Sequence, residues 1–387
     1  MNRKSTASVG TCRKEKAAAA PRGATTPCGT KDERTIDPTF ERDVQESEIP
    51  ADVLAELLKD HSTNQNVLWL TDDYKELEAE FGKPMGMKDP ILAEVIARKD
   101  RKVIRPRVDK SREQQRARAA KKAEVFTPSW ICNEMNNLID ASWFGLKESP
   151  FTAEKFKAWE ARKEPIKFPG AQGETWEEYV KECRLEITCG EAPFLASRYD
   201  ATTGEMIPVP ERMGILDRKL RVVTEQVGTT KKRTWLKWAK EAVKASWGFE
   251  WQGDNIVLAR ENILMTVLEA YKYHCHGLAT HEDLLELAHI ISWNIWQMDG
   301  LKSVVPLSCH DVTVERKPHY ICPSLFASEN EKPTQKELPL TKPCPGCAAK
   351  KPLENMCNHN GIPCMVMNWE TRESYPFNVY FKAKNKT

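Results

Sequence analysis

The chain has 387 residues, and its 58 lysines and arginines against 56 aspartates and glutamates give a formal net charge of +2. This length allows one large core with appendages, because single cores stop growing at about 250 to 300 residues. No apolar run approaches the roughly 20 residues of a membrane-spanning helix, and the first residues lack the apolar core of a secretory signal. We therefore expect a cytoplasmic protein that does not enter a membrane. Its twelve cysteines then favour free thiols and metal ligands over a disulfide framework.

The first part of the chain divides into two segments. Residues 1–45 are rich in Ala, Thr, Lys, Gly and Pro with little apolar periodicity, and such a composition predicts a disordered tail. Residues 46–122 are expected to be a helical and basic segment, because Val53, Leu54 and Leu57 recur at helical spacing.

A basic block covers residues 98–122, where Lys and Arg far outnumber Asp and Glu. Such a block is typical of a surface that binds a polyanion. A solvated helix or a linker would have the same composition, so the sequence leaves both readings open.

Residues 123–305 alternate strand-like apolar runs with amphipathic helices, which predicts an α/β layer fold. Residues 233–248 are expected to form one helix that ends at Gly248. Thr280 is predicted to cap the next helix with Asp283 three positions later. The run over residues 290–298 is rich in β-branched and aromatic residues, so it is predicted to be a buried strand that delivers an acid to its carboxyl end.

The stretch RLEITCGEAPFLASRYD, residues 184–200, is the most informative local pattern. Its first part can finish a strand, Cys189-Gly190 allows a tight turn, and Pro193 suits the first turn of a helix over residues 194–200. A strand, a small-residue turn and a helix N-terminus together offer backbone N–H donors to a cofactor. An ordinary structural corner remains the alternative.

Residues 185–195 resemble the cofactor loop of S-adenosylmethionine-dependent DNA adenine methyltransferases of restriction-modification systems. Glu186 falls on the acid of that loop, and Thr188, Cys189 and Gly190 fall on its turn. Two positions depart from the family pattern, since Ile187 replaces a proline and Ala192 replaces the second glycine.

Two further segments carry the same resemblance. Residues 123–128 are similar to the Phe-Thr-Pro segment that packs beside the methionine end of the cofactor, which assigns Thr127 and Pro128 to the binding site. Residues 294–299 are similar to a segment whose final acid, here Asp299, holds the ribose hydroxyls, a role that suits a carboxylate. Asp254, within a Gly-Asp-Asn run, is a rival for that role.

The resemblance implies a Rossmann-like fold over residues 123–305 that binds S-adenosylmethionine and methylates adenine N6 in DNA. It also implies a bacterial or phage-infected cell and allows a partner restriction or modification subunit. Enzymes of this class carry Asn or Asp, two prolines and Tyr or Phe to hold the extruded base. That tetrapeptide is missing from the sequence, so no catalytic residue is assigned. The alternative is a non-catalytic DNA-binding or assembly subunit that retains the fold.

Residues 306–387 are expected to form a small zinc-binding module. Cys344, Cys347, His359 and Cys364 could complete a tetrahedral structural zinc site, with Cys357 as a substitute ligand. Free thiols in a turn-rich segment are the alternative. A further set could form a second site or contribute to the first: Cys309, His310, His319 and Cys322.

Overall fold

The computed structural model describes residues 48–100, 102–168, 174–314, 340–348 and 359–379. These residues combine helices with short strands, which confirms the mixed α/β class; the predicted tail over residues 1–45 lies outside them. The helices are α1 (Ala51–Leu58), α2 (Glu78–Phe81), α3 (Ala93–Ile96), α4 (Arg112–Lys122), α5 (Ser129–Phe144), α6 (Trp176–Lys181), α7 (Ile215–Val227), α8 (Lys232–Lys244), α9 (Gly253–Cys275), α10 (His281–Asn294) and α11 (Pro345–Ala348). The strands are β1 (Lys59–Asp60), β2 (Gln65–Asn66), β3 (Thr152–Lys155), β4 (Ala158–Ala161), β5 (Arg184–Ile187), β6 (Ser246–Glu250), β7 (Ile295–Gln297), β8 (Val312–Val314), β9 (Leu340–Lys342), β10 (Met365–Asn368) and β11 (Glu373–Pro376).

One parallel sheet, with strand order β5-β6-β7, connects the longest helices of the described part. Glu186 lies opposite Gly248, and Gly248 lies opposite Ile295. Helices α7 and α8 connect β5 to β6, and α9 and α10 connect β6 to β7, as parallel strands require long crossovers. The other described strands pair antiparallel as β1–β2, β3–β4, β8–β9 and β10–β11. No helix in the described ranges has the length and apolar character to cross a membrane.

The helix predicted over residues 233–248 is shorter than expected. Helix α8 ends at Lys244, and after Ala245 the chain forms β6, in which all five residues are buried. Trp247 therefore belongs to the sheet, and its ring centroid lies 6.0 Å from that of Trp296 on the neighbouring strand. Gly248 allows close packing at this point, since a Cβ there would lie 3.1 Å from Cys189 Sγ.

The strand predicted over residues 290–298 is mostly helical. Helix α10 begins as predicted, with Thr280 as N-cap in a capping box with Asp283, but it continues to Asn294. The Asn294 amide then donates to the backbone oxygens of Val243, Lys244 and Ser246. These bonds fix the end of α10 against the end of α8, and only three residues of the apolar run remain for β7.

A buried arginine joins α1 to the sheet region. The Arg260 guanidinium on α9 donates to the backbone oxygens of Leu57 at 2.6 Å, Lys59 at 3.0 Å, Ser292 at 3.0 Å and Ile295 at 2.7 Å. Carbonyls at the ends of helices lack partners within the helix, so this side chain satisfies the ends of α1 and α10 together.

The described C-terminal residues pack on the sheet. Cys364 and Val366 are fully buried against a cluster that includes Trp247, Phe249 and Trp296. The segment predicted as a zinc-binding module therefore shares an apolar core with β6 and β7, and the described residues all fall in one compact unit.

A candidate ligand cleft and a candidate metal centre

A cleft of about 1010 Å³ opens at the carboxyl ends of β5 and β6. This is the edge at which open α/β sheets bind ligands. Its walls are formed by residues 70–73, 87, 120–127, 186–190, 193–194, 250–252 and 255.

The chain after β5 forms successive turns, and the helix predicted over residues 194–200 is absent from this described segment. The Glu186 carboxylate accepts the backbone N–H groups of Phe194 at 3.3 Å and Leu195 at 3.1 Å. Burial raises the pKa of Glu186 to about 8, these two donors oppose the rise, and Glu250 adds to it. Glu186 therefore holds the loop in place. It also occupies two backbone N–H donors that were expected to face a cofactor.

Two non-glycine residues of this loop have left-handed backbone conformations. Thr188 has φ +49° and Ala192 has φ +62°, a region that costs residues other than glycine roughly 1 to 2 kcal/mol. Ala192 occupies the position that the resemblance aligns with a second glycine. Its backbone has a conformation that favours glycine, although the residue is alanine.

The predicted Phe-Thr-Pro segment lies against this loop. A Cβ on Gly190, which has φ +54°, would come within 3.1 Å of the Phe126 ring. Thr127 lines the same cleft, while Pro128 is the N-cap of α5 and is not among the lining residues. The structure thus brings together two of the three segments that carry the resemblance.

Glu250, at the end of β6, is a site residue that the sequence analysis missed. Its carboxylate accepts the backbone N–H groups of Gly190 at 2.9 Å, Trp251 at 2.9 Å and Gln252 at 3.2 Å. Burial raises its pKa, and these hydrogen bonds oppose the rise. The sequence did contain a signal for Glu250, which is an acid directly after an aromatic apolar run. That run was assigned to the end of the helix predicted over residues 233–248.

Asp254 does not have the role predicted for it. It is fully buried, with Tyr74 Oη at 2.9 Å, Lys110 Nζ at 3.1 Å and Arg118 Nη2 at 3.0 Å. Burial alone would raise the pKa of this carboxyl, but Lys110 and Arg118 hold it below its usual range. Its oxygens are thus taken up by an internal ion cluster and do not face a ligand.

Asp299 lies outside the cleft as well. Its carboxylate accepts the Leu301 N–H at 3.1 Å and lies 3.2 Å from Lys302 Nζ. These contacts fix a tight turn after β7, so the ribose role that the resemblance gave to Asp299 does not fit its position.

Three buried oxygen atoms of the cleft have no hydrogen-bond donor among the described residues: Glu124 Oε1, Gln252 Oε1 and Asn255 Oδ1. The three side chains are 7%, 4% and 1% exposed, respectively. The Asn255 amide donates to Glu124 Oε2 at 3.4 Å, which leaves its oxygen as the unpaired atom. Buried acceptors without donors are costly, and all three of these oxygens belong to residues that line the cleft.

Several side chains of the basic block are neutralised inside the protein. Arg118 lies 2.7 Å from Asp73 and 2.6 Å from Glu124, and Lys122 lies 2.6 Å from Asp73. Other basic side chains on and before α4 are exposed and accessible to a polyanion. They include Arg105, Arg112, Arg116 and Lys121.

Near the C-terminus, three cysteines surround one histidine. The Nδ1 atom of His359 lies 3.8 Å from Cys309 Sγ, 3.7 Å from Cys344 Sγ and 3.7 Å from Cys347 Sγ. A tetrahedral zinc with Zn–S bonds of about 2.3 Å separates its ligands by about 3.8 Å. The four side chains therefore have the spacing of a Cys3His zinc site.

The local backbone explains this arrangement. Helix α11 lies within the Cys-Pro-Gly-Cys turn, and a Cβ on Gly346 would fall 2.6 Å from the His359 ring, so only glycine admits the imidazole. The Asn360 N–H donates to Cys344 Sγ at 3.4 Å, which favours the thiolate form that binds a metal.

One predicted ligand is replaced. Cys364 is buried outside the group, and its thiol donates to the Gln297 carbonyl at 3.5 Å. Cys309 takes its place as the fourth potential ligand. His310 pairs through its backbone N–H with Asn360 and is not a member of the group. Three other candidates lie outside the described residues: His319, Cys322 and Cys357.

No protein-family model, curated protein or solved structure matches the chain.

Proposed function

We propose that the cleft binds S-adenosylmethionine and that the chain is a DNA methyltransferase of a restriction-modification system that acts on adenine N6. One observation carries the proposal: the Phe126-Thr127 segment and the Thr188–Gly190 turn, which the resemblance assigns to the cofactor, line the same cleft. They are distant in sequence, so a shared wall is not a consequence of local chain geometry.

The chemistry of the cleft supports this ligand class. S-adenosylmethionine has N–H donors at its ammonium and adenine amino groups and O–H donors at two ribose hydroxyls. The unpaired oxygens of Glu124, Gln252 and Asn255 can accept from such groups. Glu250 replaces Asp299 and Asp254 as the candidate for the vicinal hydroxyls, because it stands at a strand end beside the Gly190 turn.

The strand arrangement supports a Rossmann-like fold around this site. Parallel strands follow one another in chain order, helices form the crossovers, and the cleft lies at the carboxyl edge. We propose that β5, β6 and β7 are the ligand-binding half of such a sheet.

The proposed reaction needs positioning more than proton chemistry. The cofactor supplies the methyl group, and the protein has to hold an extruded base in line with it. Lys121 lies on the rim of the cleft at the end of α4, so a DNA backbone held by the exposed cations of α4 would pass beside the opening. We assign no catalytic residue.

A second function is favoured by a specific observation: the sequence contains no Pro-Pro dipeptide. Without it the usual base-holding tetrapeptide cannot form, and a non-catalytic DNA-binding or assembly subunit would need none. In that case a partner modification subunit supplies the missing element.

We further propose that Cys309, Cys344, Cys347 and His359 bind a structural zinc ion. All four positions of a tetrahedral ion are filled by protein atoms, which leaves none open for a catalytic water.

Calorimetric titration with S-adenosylmethionine, combined with a methyl-transfer assay on mixed-sequence DNA, tests the function. Glu250→Gln should weaken binding at least tenfold, whereas Asp299→Ala, outside the cleft, should bind like the wild type. Binding with transfer supports the enzyme, and binding without transfer supports the assembly subunit. If the folded wild-type chain does not bind the cofactor, the cofactor site and the methyltransferase are rejected, and only the non-catalytic subunit remains.

A further inference from the structure

A second group of potential metal ligands involves α1 and α10, and none of its members lines the cleft. Glu56 lies on α1, His61 follows β1, and His289 lies on α10, and one ligand atom from each falls within 4.8 Å of the other two. Glu56 Oε1 is 2.6 Å from His289 Nδ1 and 3.7 Å from His61 Nε2. Three separate elements of the chain thus converge on one point.

The His61 ring is fixed in place before any ligand arrives. It stacks on Trp293 with 4.0 Å between ring centroids and 7° between ring planes. Its Nε2 atom lies 2.8 Å from Ser292 Oγ and 3.7 Å from Glu56 Oε1. Because the Ser292 hydroxyl donates to the His289 carbonyl, Nε2 donates to Ser292, and coordination through Nε2 requires the other tautomer of the ring. A ring held in this way loses little freedom on binding, which favours coordination.

We propose that Glu56, His61 and His289 form a second metal site, for a divalent ion of the zinc, cobalt or nickel class. Two imidazoles and one carboxylate are ligands that these ions prefer, and hard ions such as Mg²⁺ prefer oxygen. The 2.6 Å contact between Glu56 and His289 is a hydrogen bond, so the ion replaces its proton. The two atoms then separate to about 3.4 Å, the ligand spacing around a tetrahedral ion with bonds of about 2.1 Å. His289 is exposed and can move that far.

The bound ion would join α1 to α10 by coordination bonds, in addition to their apolar contact. This inference does not depend on the function proposed for the cleft, and it concerns different residues from the Cys3His group.

Equilibrium dialysis of the full chain against Zn²⁺, followed by elemental analysis, tests the site. The wild type should retain about two equivalents, one at each site, and His289→Ala about one. His281→Ala is the matched control, because His281 lies on the same helix and pairs with Asp52 of α1 at 2.7 Å without a third ligand. It should retain about two. His289→Gln repeats the test with a side chain of similar size if the alanine variant does not fold.

Cobalt spectroscopy separates the two sites. Changing Cys309, Cys344 and Cys347 together to Ser removes every thiolate of the Cys3His group, so the Co²⁺ that this variant binds should show visible bands without the thiolate charge-transfer absorption. Combining this triple change with His289→Ala should abolish these bands. The proposal is overturned if the wild type and His289→Ala retain the same number of equivalents, or if His281→Ala loses as much metal as His289→Ala.

Discussion

The backbone N–H of Gly190 donates to Glu250 Oε2 at 2.9 Å. Gly190 follows β5 and Glu250 ends β6, so a charge-assisted hydrogen bond joins the carboxyl ends of two neighbouring parallel strands. The base of the cleft is therefore held in position by the same carboxylate that we propose as a ligand contact. A site built in this way needs little reorganisation when a ligand enters.

The pH dependence of stability should contain a contribution from Glu186. Its pKa of about 8 in the folded chain exceeds the value of about 4.3 in an unfolded chain. The folded state binds more protons between these values, so this contribution to the free energy of unfolding falls as pH rises from about 4.3 to 8. In Glu186→Gln the fall should be shallower, as measured by urea denaturation at several pH values. The exposed Glu211→Gln is the control, and an equal slope in wild type and Glu186→Gln would contradict the assignment.

Thr188→Gly should stabilise the protein. Thr188 is exposed and has φ +49°, which costs roughly 1 to 2 kcal/mol, while glycine brings back an entropic cost of about 0.5 to 1 kcal/mol. We expect a gain of about 0.5 kcal/mol in the free energy of unfolding from urea denaturation. Thr230→Gly, at an exposed threonine without a positive φ, should lose stability instead.

Arg260→Met should destabilise the protein by at least about 3 kcal/mol, because four buried backbone oxygens lose a charged donor. The same change at exposed Arg116 should alter stability by no more than about 0.5 kcal/mol. Chemical denaturation of both variants measures the difference. A small effect at Arg260 would mean that water replaces the guanidinium at the ends of α1 and α10.

Charge reversal on the exposed side of the basic block tests the proposed DNA contact. Changing Arg105, Arg112 and Arg116 to Glu should weaken DNA binding and reduce the slope of log affinity against log salt by about 2 to 3. Fluorescence anisotropy at several salt concentrations provides both quantities.

A charge-matched control changes Lys157, Lys231 and Lys237 to Glu, three exposed lysines outside the basic block. Equal effects of the two triple variants would show that only net charge matters and would reject a footprint on α4.

Zinc content should distinguish the two candidates for the fourth ligand. Cys309→Ser should lose about one equivalent relative to the wild type, and Cys364→Ser should lose none. Cys364→Ser should nevertheless melt at a lower temperature, because it places a hydroxyl in a fully buried apolar cluster. Elemental analysis and thermal denaturation provide the two measurements. Zinc loss in Cys364→Ser alone would restore the ligand set predicted from the sequence.

Local signals in the sequence were sufficient where one element depends on its own residues. Helix α1, strand β5 and the capping box at Thr280 follow the patterns predicted for them. The Cys-x2-Cys pair and His359 also lie together as predicted, and the short turn of α11 sets the spacing of Cys344 and Cys347. The role of Cys309 could not be decided from the sequence. It lies far from the other ligands along the chain, and the sequence does not indicate which thiol is the fourth ligand.

The errors have one physical cause, which is that tertiary contacts override local propensity. Asn294 extends α10 into a β-branched run because its amide binds the end of α8. The helix predicted after Pro193 is replaced by turns, in which Glu186 accepts the backbone N–H groups of Phe194 and Leu195. Glu250 was missed for the same reason, since a fully buried short strand has no alternation that would separate it from the preceding helix.

The packing of Cys364 and Val366 on the sheet has a consequence for how the chain is made. Trp247, Phe249 and Trp296 belong to segments that leave the ribosome before residue 364. Until the later residues arrive, this aromatic face has no cover from them, and exposed apolar surface of this kind favours aggregation. The residues around β10 therefore cover this face late in synthesis, and a chain that stops before them would leave its aromatic face uncovered.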